Sequence, residues 1–318
     1  MSTGRFLAVV TVLLAAAACG GGAVDGENTA SSARVVLVTG ATGTQGGAVV
    51  RELLSRDYKV RALTRNPNQP AAQALVALGA EVVHGDFSDS ESLRHAMTGA
   101  SGVFGLSTWD RGTDREVVQG RQLIDAAVAS HIDHFVCTSV AGADLDSGLA
   151  HFESKYELEQ YLAASGLDYT IVRPVEFMEN WRLSLGELRN GNYIEPRDLS
   201  AHHQWIAASD IGFFVAEAFD HPSEWIGRTF EVAGDEMTLG ELLAVFTDVL
   251  DRPVEQVQPS WDEFRAMTGD EIADMYRWME RDGYAVDVAA PRARYPDLVT
   301  VRQFLEQMVA IGGNNSGR

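Results

Sequence analysis

Val35-Val-Leu-Val-Thr-Gly40-Ala-Thr-Gly43-Thr-Gln-Gly46-Gly47-Ala-Val-Val-Arg-Glu-Leu-Leu54 reads as a strand, a glycine-spaced turn and the start of a helix. The β-branched apolar run fits a buried strand, and the apolar spacing after Gly46 fits a helix. The glycines stand as G-x-x-G-x-x-G. Gly40 suits the tight turn off the strand, Gly43 leaves room for a pyrophosphate against the backbone, and Gly46 lets the helix pack close to the sheet. The first N–H groups of that helix, at the positive end of its dipole, then face an anion, with Thr42, Thr44 and Gln45 completing the cradle. A glycine triplet bracketed in this way predicts a dinucleotide site.

Outward from this stretch, strands and helices alternate. The patterns predict strands at 35–39, 59–64, 81–84, 102–106, 135–139 and 169–173, with helices at 44–55, 71–78, 90–97, 114–130 and 151–164. Such alternation specifies α/β architecture with a doubly wound parallel sheet of Rossmann type. Beyond Pro174 the alternation stops. A polar stretch at 191–204 reads as irregular, a helix is expected at 209–219 and a short strand at 229–232. A further helix is expected at 238–250 with Thr238 as its N-cap, and mostly helix from 261 to 311. The expected organisation is therefore a Rossmann domain at 34–173 and a smaller, mostly helical region at 174–318 that covers a substrate.

Of the 318 residues, 46% are hydrophobic and 22% charged, enough to bury a large core. The formal charge of −20 argues against nucleic acid, whose phosphates require clustered Lys and Arg. Residues 1–33 read as a separate segment and tether. A weakly basic start and an apolar run at 6–18 precede Ala16-Ala17-Ala18-Cys19-Gly20, which is similar to a bacterial lipoprotein cleavage site with Cys19 acylated. Two readings of that segment stand side by side: a protein held to a membrane only through a lipid on Cys19, and a cytoplasmic protein whose start lies near Val24.

The second strand ends Arg61-Ala-Leu-Thr64-Arg65-Asn66, with no acid placed to accept the ribose 2′-hydroxyl. Arg65 suits a 2′-phosphate, so NADP(H) is expected in preference to NAD(H), which remains the second choice. Asp86 and Phe87, after the third strand, are placed to line the adenine. Ser107 and Thr138, at the ends of the fourth and fifth strands, join the cofactor set.

Six blocks in order extend this reading: Gly40-Ala-Thr-Gly-Thr-Gln-Gly46, Leu63-Thr-Arg-Asn-Pro67, Gly85-Asp-Phe87, His134-Phe-Val-Cys-Thr-Ser-Val-Ala-Gly142, His151-Phe-Glu-Ser-Lys155-Tyr-Glu-Leu-Glu159 and Arg173-Pro-Val-Glu-Phe-Met-Glu-Asn180. Together they resemble the NmrA-like family of atypical short-chain dehydrogenase/reductases, from Arg34 to about Phe264. The resemblance implies NAD(P)(H) binding. It does not choose between the reductases and the redox-sensing regulators that this family mixes. In catalytic short-chain enzymes a Tyr-x-x-x-Lys helix supplies the acid and the ribose-binding ammonium. Here the ammonium is Lys155 and the tyrosine position is His151, whose imidazole can donate a proton. The position of the carbonyl-polarising serine falls near Val140, beside Thr138 and Ser139. Lys59 and Lys155 are the only lysines in the chain, which favours a ribose-binding role for the second.

Phe177, Met178, Asn180 and Trp181 follow the sixth strand, where ligands bind in this fold, and suit a flat apolar substrate. His202-His203 lacks a third ligand at recognisable spacing, so no metal is assigned. The leading expectation is an NADPH-dependent oxidoreductase passing hydride to a quinone-like or conjugated carbonyl small molecule. The alternative is a non-catalytic NADP(H) sensor acting through protein partners.

Overall fold

The computed structural model describes residues 34–107 and 112–314, with side chains as far as 310. The lipoprotein-like segment, Cys19 included, lies outside the described residues. The first half of the chain alternates strand and helix: β1 (Val35–Val38), α1 (Thr44–Ser55), β2 (Lys59–Thr64), α2 (Pro70–Ala77), β3 (Glu81–His84) and α3 (Ser90–Met97). It continues through β4 (Gly102–Gly105), α4 (Thr113–Ala129), β5 (His134–Thr138), α5 (Ala150–Ala164) and β6 (Tyr169–Pro174). These boundaries agree with the sequence reading to within about a residue at each end.

After β6 the elements shorten. β7 (Glu176–Phe177) leads into a 3₁₀ turn at Met178–Arg182, α6 (Leu185–Asn190), β8 (Asn192–Ile194) and β9 (His202–Ile206). Then come α7 (Ala208–Asp220), α8 (Pro222–Trp225), β10 (Arg228–Val232), β11 (Asp235–Thr238), α9 (Leu239–Leu250) and β12 (Glu255–Val257). Four helices close the chain: α10 (Trp261–Thr268), α11 (Asp270–Arg281), α12 (Ala289–Arg294) and α13 (Val301–Asn314). Thr238 caps α9 in a reciprocal capping box with Glu241, as its position before an apolar run predicts.

Seven parallel strands form one sheet in the order β10-β6-β5-β4-β1-β2-β3. Alternation along each strand feeds two cores. Val36 and Val38 face α1, α2 and α7, while Leu37 faces α3, α4 and α5. Burial on both faces explains why the strands read as unbroken apolar runs. The strand order reverses between β1 and β4, and that switch point is where an open α/β sheet binds its ligand.

The chain beyond 174 returns to this layer. β10 pairs with β6, with Arg228 opposite Thr170, and α7 packs on α1. The stretch 191–204, expected to be irregular, contains β8 and part of β9. Each is short and is held by a distant partner, β8 by β12 and β9 by β11 and β7, so local pattern carries little trace of either. A third core gathers Trp205, Leu239, Phe246, Val301 and Phe304 around α9 and α13.

Candidate functional site

The glycine loop forms the cradle that its spacing predicts. Gly40 sits at φ +58°, in the left-handed region. A Cβ on Gly46 would lie 2.3 Å from the Gly40 carbonyl oxygen and 2.8 Å from that of Thr39, so only glycine brings α1 this close to the loop. Gly43 stands at the N-cap of α1, and no described side chain caps that terminus. The first-turn donors of α1 are therefore left for an anion. Beside them Gln45 Nε2 donates to Thr138 Oγ1 at 2.6 Å, and both residues are buried. Thr44 is exposed at the helix start.

A cleft of 590 Å³ opens at the switch point, lined by Gly40, Thr42, Arg65, Asp86, Phe87 and Arg115 among others. Five of these six were expected from sequence. The Asp86 carboxyl is held below its usual range by hydrogen bonds from the Ser88 hydroxyl and backbone N–H, assisted by the charges of Arg65 and Arg115. Two guanidinium groups lining a cleft that also touches the glycine loop at Gly40 and Thr42 fit the phosphates of a dinucleotide. The buried Ser139 hydroxyl, at the end of β5, has no hydrogen-bond partner among the described residues, so it can serve a ligand.

Leu106 lines the cleft, and the next residue, Ser107, meets Lys155. Lys155 Nζ lies 2.6 Å from Glu116 Oε1 and donates to the Ser107 carbonyl at 2.8 Å and to Ser107 Oγ at 3.0 Å. Ser154 Oγ donates to Glu116 Oε2 at 2.6 Å, and Ser107 Oγ to Oε1 at 3.0 Å. Glu116 is fully buried and Lys155 nearly so. The sequence reading missed this carboxylate, although a signal existed. Glu116 shares the buried stripe of α4 with Gly120, Leu123 and Ala127, and a charge on an apolar stripe calls for a buried counter-charge. Arg115 was missed because a first-turn arginine looks like any solvated residue.

His151 is buried one turn before Lys155, with its Nδ1 2.5 Å from Glu271 Oε1 on α11. Arg173 is tied by its guanidinium to Glu159 at 2.9 and 2.7 Å and to Asp144 at 2.7 Å, so it clamps β6 to α5.

The four residues expected to meet substrate do not gather at the cleft. Met178 and Trp181 are buried in the third core, against Trp205, Phe246 and Phe304. The physical reason is the 3₁₀ turn, which stacks residues i and i+3 on one face and turns both inward. Phe177 packs against the core beneath α7, and exposed Asn180 bonds to Glu176. His203 contacts Arg197 at 2.9 Å through Nδ1, and burial together with that cation lowers its pKa to about 3.

The family model described as "NmrA-like family" matches residues 32–305. An NmrA-like family domain-containing oxidoreductase, hkm9 of Aspergillus hancockii, is 30% identical over 271 residues, covering 77% of this chain and 81% of its own. Among solved structures, the NADPH-dependent quinone oxidoreductase QOR2 of Escherichia coli, complexed with NADPH, superposes with a TM-score of 0.75 at 26% identity. That likeness covers 86% of this chain and 99% of the other. The negative transcriptional regulator NmrA in complex with NAD gives a TM-score of 0.75 at 18% identity, covering 90% and 98%. At that identity the likeness is one of fold.

Proposed function

The chain belongs to the NmrA-like family, and from that premise we propose that it is an NADP(H)-dependent oxidoreductase reducing a quinone-like or conjugated carbonyl small molecule. The observation that carries this reading is the pairing of a cleft bearing Arg65 and Arg115 with an ammonium, Lys155, anchored just beyond Leu106. No acid follows β2 to select a ribose 2′-hydroxyl, and the two arginines favour a 2′-phosphate, so NADP(H) is preferred over NAD(H). Gly40, Gly43 and Gly46 would hold the pyrophosphate, Asp86 and Phe87 the adenosine, and Lys155 the ribose beside the nicotinamide. A nicotinamide cofactor bound there supplies a hydride. The chain's own contribution is orientation, exclusion of water at the buried end, and a proton donor at His151. The quinone class is supported by the likeness to the Escherichia coli enzyme.

The test is loss of NADPH absorbance by the full chain, with a panel of quinones and conjugated carbonyls. Steady consumption is expected, at least tenfold faster than with NADH at equal subsaturating cofactor, which corresponds to about 1.4 kcal/mol of discrimination. Tight NADPH binding with no consumption on any acceptor would replace this reading with that of a sensor. A sensor holds its cofactor without spending it and distinguishes the oxidised from the reduced form by affinity.

A further inference from the structure

Helix α11 comes from the last third of the chain, yet one of its residues completes the amino end of α5. Glu271 Oε1 accepts from the backbone N–H of His151 at 3.1 Å and lies 2.5 Å from Nδ1 of the same residue. The backbone contact has a structural use. Leu149 provides no side-chain cap for α5, so Glu271 satisfies a first-turn donor from outside the helix. The ring contact is not needed for that. An ionised Glu271 has no hydrogen to donate, so the contact is a hydrogen bond only when the ring carries its hydrogen on Nδ1.

Packing holds the His151 ring and joins α11 to α5. The His151 side chain is 8% exposed and that of Glu271 34%. Trp278, two turns along α11 from Glu271, meets Phe152 edge-on with ring centroids 5.1 Å apart and shares a core cluster with Leu149 and Met279. His151 in turn lies one helical turn before Lys155, on the same side of α5. The C-terminal region thus supplies a carboxylate to the residue standing where short-chain enzymes carry their acid.

We propose that Glu271 is a positioning residue that acts through His151. It holds the ring with a hydrogen on Nδ1, which makes Nε2 the nitrogen that exchanges a proton with the acceptor. This rests on the reductase reading. In the step it serves, hydride from the reduced nicotinamide brings two electrons and forms the new bond on the acceptor. The Nε2–H bond of the doubly protonated ring breaks, and its proton passes to the acceptor oxygen. The ring is left neutral with its hydrogen on Nδ1, hydrogen-bonded to Glu271, and regains a proton from water. An orienting carboxylate behind a working imidazole is a recurrent device, because it fixes the tautomer as well as the angle of the ring.

Two measurements on the full chain decide it. The first needs no turnover: ring-¹⁵N-labelled protein is examined by two-bond ¹H–¹⁵N correlation, with His151 assigned by the signal lost in His151→Ala. The neutral ring is expected as the Nδ1–H form, reverting to mainly Nε2–H in Glu271→Ala. A wild-type ring already in the Nε2–H form, or one that Glu271→Ala leaves unchanged, overturns the proposal. The second is a double-mutant cycle on NADPH consumption. Glu271→Ala is expected to lower kcat roughly tenfold, a part of what a placed acid contributes, with KM for NADPH unchanged. Glu271→Gln should restore most of it, since its amide oxygen also accepts. In a His151→Ala background, Glu271→Ala should cost nothing further. Because His151→Ala keeps the backbone N–H, an equal loss in both backgrounds would mean that Glu271 only caps α5. Full turnover in His151→Ala would overturn the proposal while leaving a Lys155-dependent reductase standing. Failure of the wild type to oxidise NADPH would remove the reductase reading, and the ring spectrum would still decide whether Glu271 sets the tautomer.

Discussion

Arg65 and Arg115 are exposed residues that line the cleft and form the outer end of the site, whereas Lys155 and His151, one helical turn apart on α5, form its inner end, buried and already joined to carboxylates. Both ends carry positive or protonatable groups, but they are used differently. An exposed guanidinium costs little to keep unpaired, so it can wait for a phosphate and choose between cofactors. A buried ammonium or imidazole must be partnered in the folded protein, so its position is settled before any ligand arrives. The outer end is therefore built to recognise, and the inner end to be preorganised. The two should respond to substitution in different measurements: affinity at one, stability and rate at the other.

The largest effect is expected at the inner end. Lys155→Met leaves Glu116 charged, fully buried and without its cation, which should cost about 3–5 kcal/mol of unfolding free energy. Turnover should be lost with it. Neutralising both partners in Lys155→Met/Glu116→Gln should recover most of the stability and none of the rate. Chemical denaturation of the two variants checks this. A loss below about 1 kcal/mol in the single variant, the range of exposed ion pairs, would break the comparison.

Asp210, at the start of α7, sharpens it from another side, because it is a buried acid that no ion pair holds among the described residues, the charge of Arg292 acting on it only at a distance. Burial raises its pKa from 3.8 to about 7 even though its Oδ2 accepts the Val299 N–H at 2.9 Å. The folded value lies above the unfolded one, so the favourable contribution is complete below pH 3.8 and is lost as pH rises through about 7. Asp210→Asn keeps an acceptor for Val299 and cannot ionise. Its stability relative to wild type should therefore rise across that window, by up to about 4 kcal/mol. Thermal unfolding of both proteins at several pH values measures the difference, and a flat difference would show that Asp210 ionises freely.

These two cases mark how far the sequence could be read. The sheet was legible because both of its faces are buried, so each strand announces itself as a continuous apolar run next to an amphipathic helix. The glycine loop was legible because its constraint is local: Gly46 meets Gly40, six residues away. The outer cleft followed from that, since Arg65, Asp86 and Phe87 sit at strand ends whose place in the fold is fixed. The inner end depends on contacts between residues far apart in the chain, Glu116 with Lys155 and His151 with Glu271, 39 and 120 positions apart. No local pattern encodes those pairs. The burial of Met178 and Trp181 was not legible for the same reason. Their types suit a ligand, but the 3₁₀ turn that points them inward is set by the core they fill.

At the outer end the expected loss is smaller and confined to affinity. Arg65→Ala should weaken NADPH about 10- to 100-fold, or about 1.4–2.8 kcal/mol, and leave NADH nearly unchanged. Nicotinamide fluorescence gives both constants. Equal losses for the two cofactors would place Arg65 on the shared pyrophosphate instead of the 2′-phosphate, and the basis for cofactor choice would have to be sought elsewhere.

Arg115→Ala should have the least effect, and the argument for it lies in how the residue is held. Arg115 is an exposed residue in the first turn of α4, and it reaches the cleft as part of the field around Asp86. Through water, a unit charge at 4 Å contributes about 1 kcal/mol, and less as salt screens it. A loss of about threefold in NADPH affinity is therefore expected at low ionic strength, close to 0.65 kcal/mol, fading toward none at 0.5 M salt. Arg65→Ala, if it removes a direct contact to phosphate, should keep most of its effect at that salt. The measurement is the NADPH dissociation constant of each single variant and of the double variant, at low and high salt. A salt-resistant loss at Arg115 equal to that at Arg65, with the pair non-additive, would mean that the two guanidinium groups grip one phosphate together. The outer end would then be as preorganised as the inner, and the contrast between waiting and settled charges would fail.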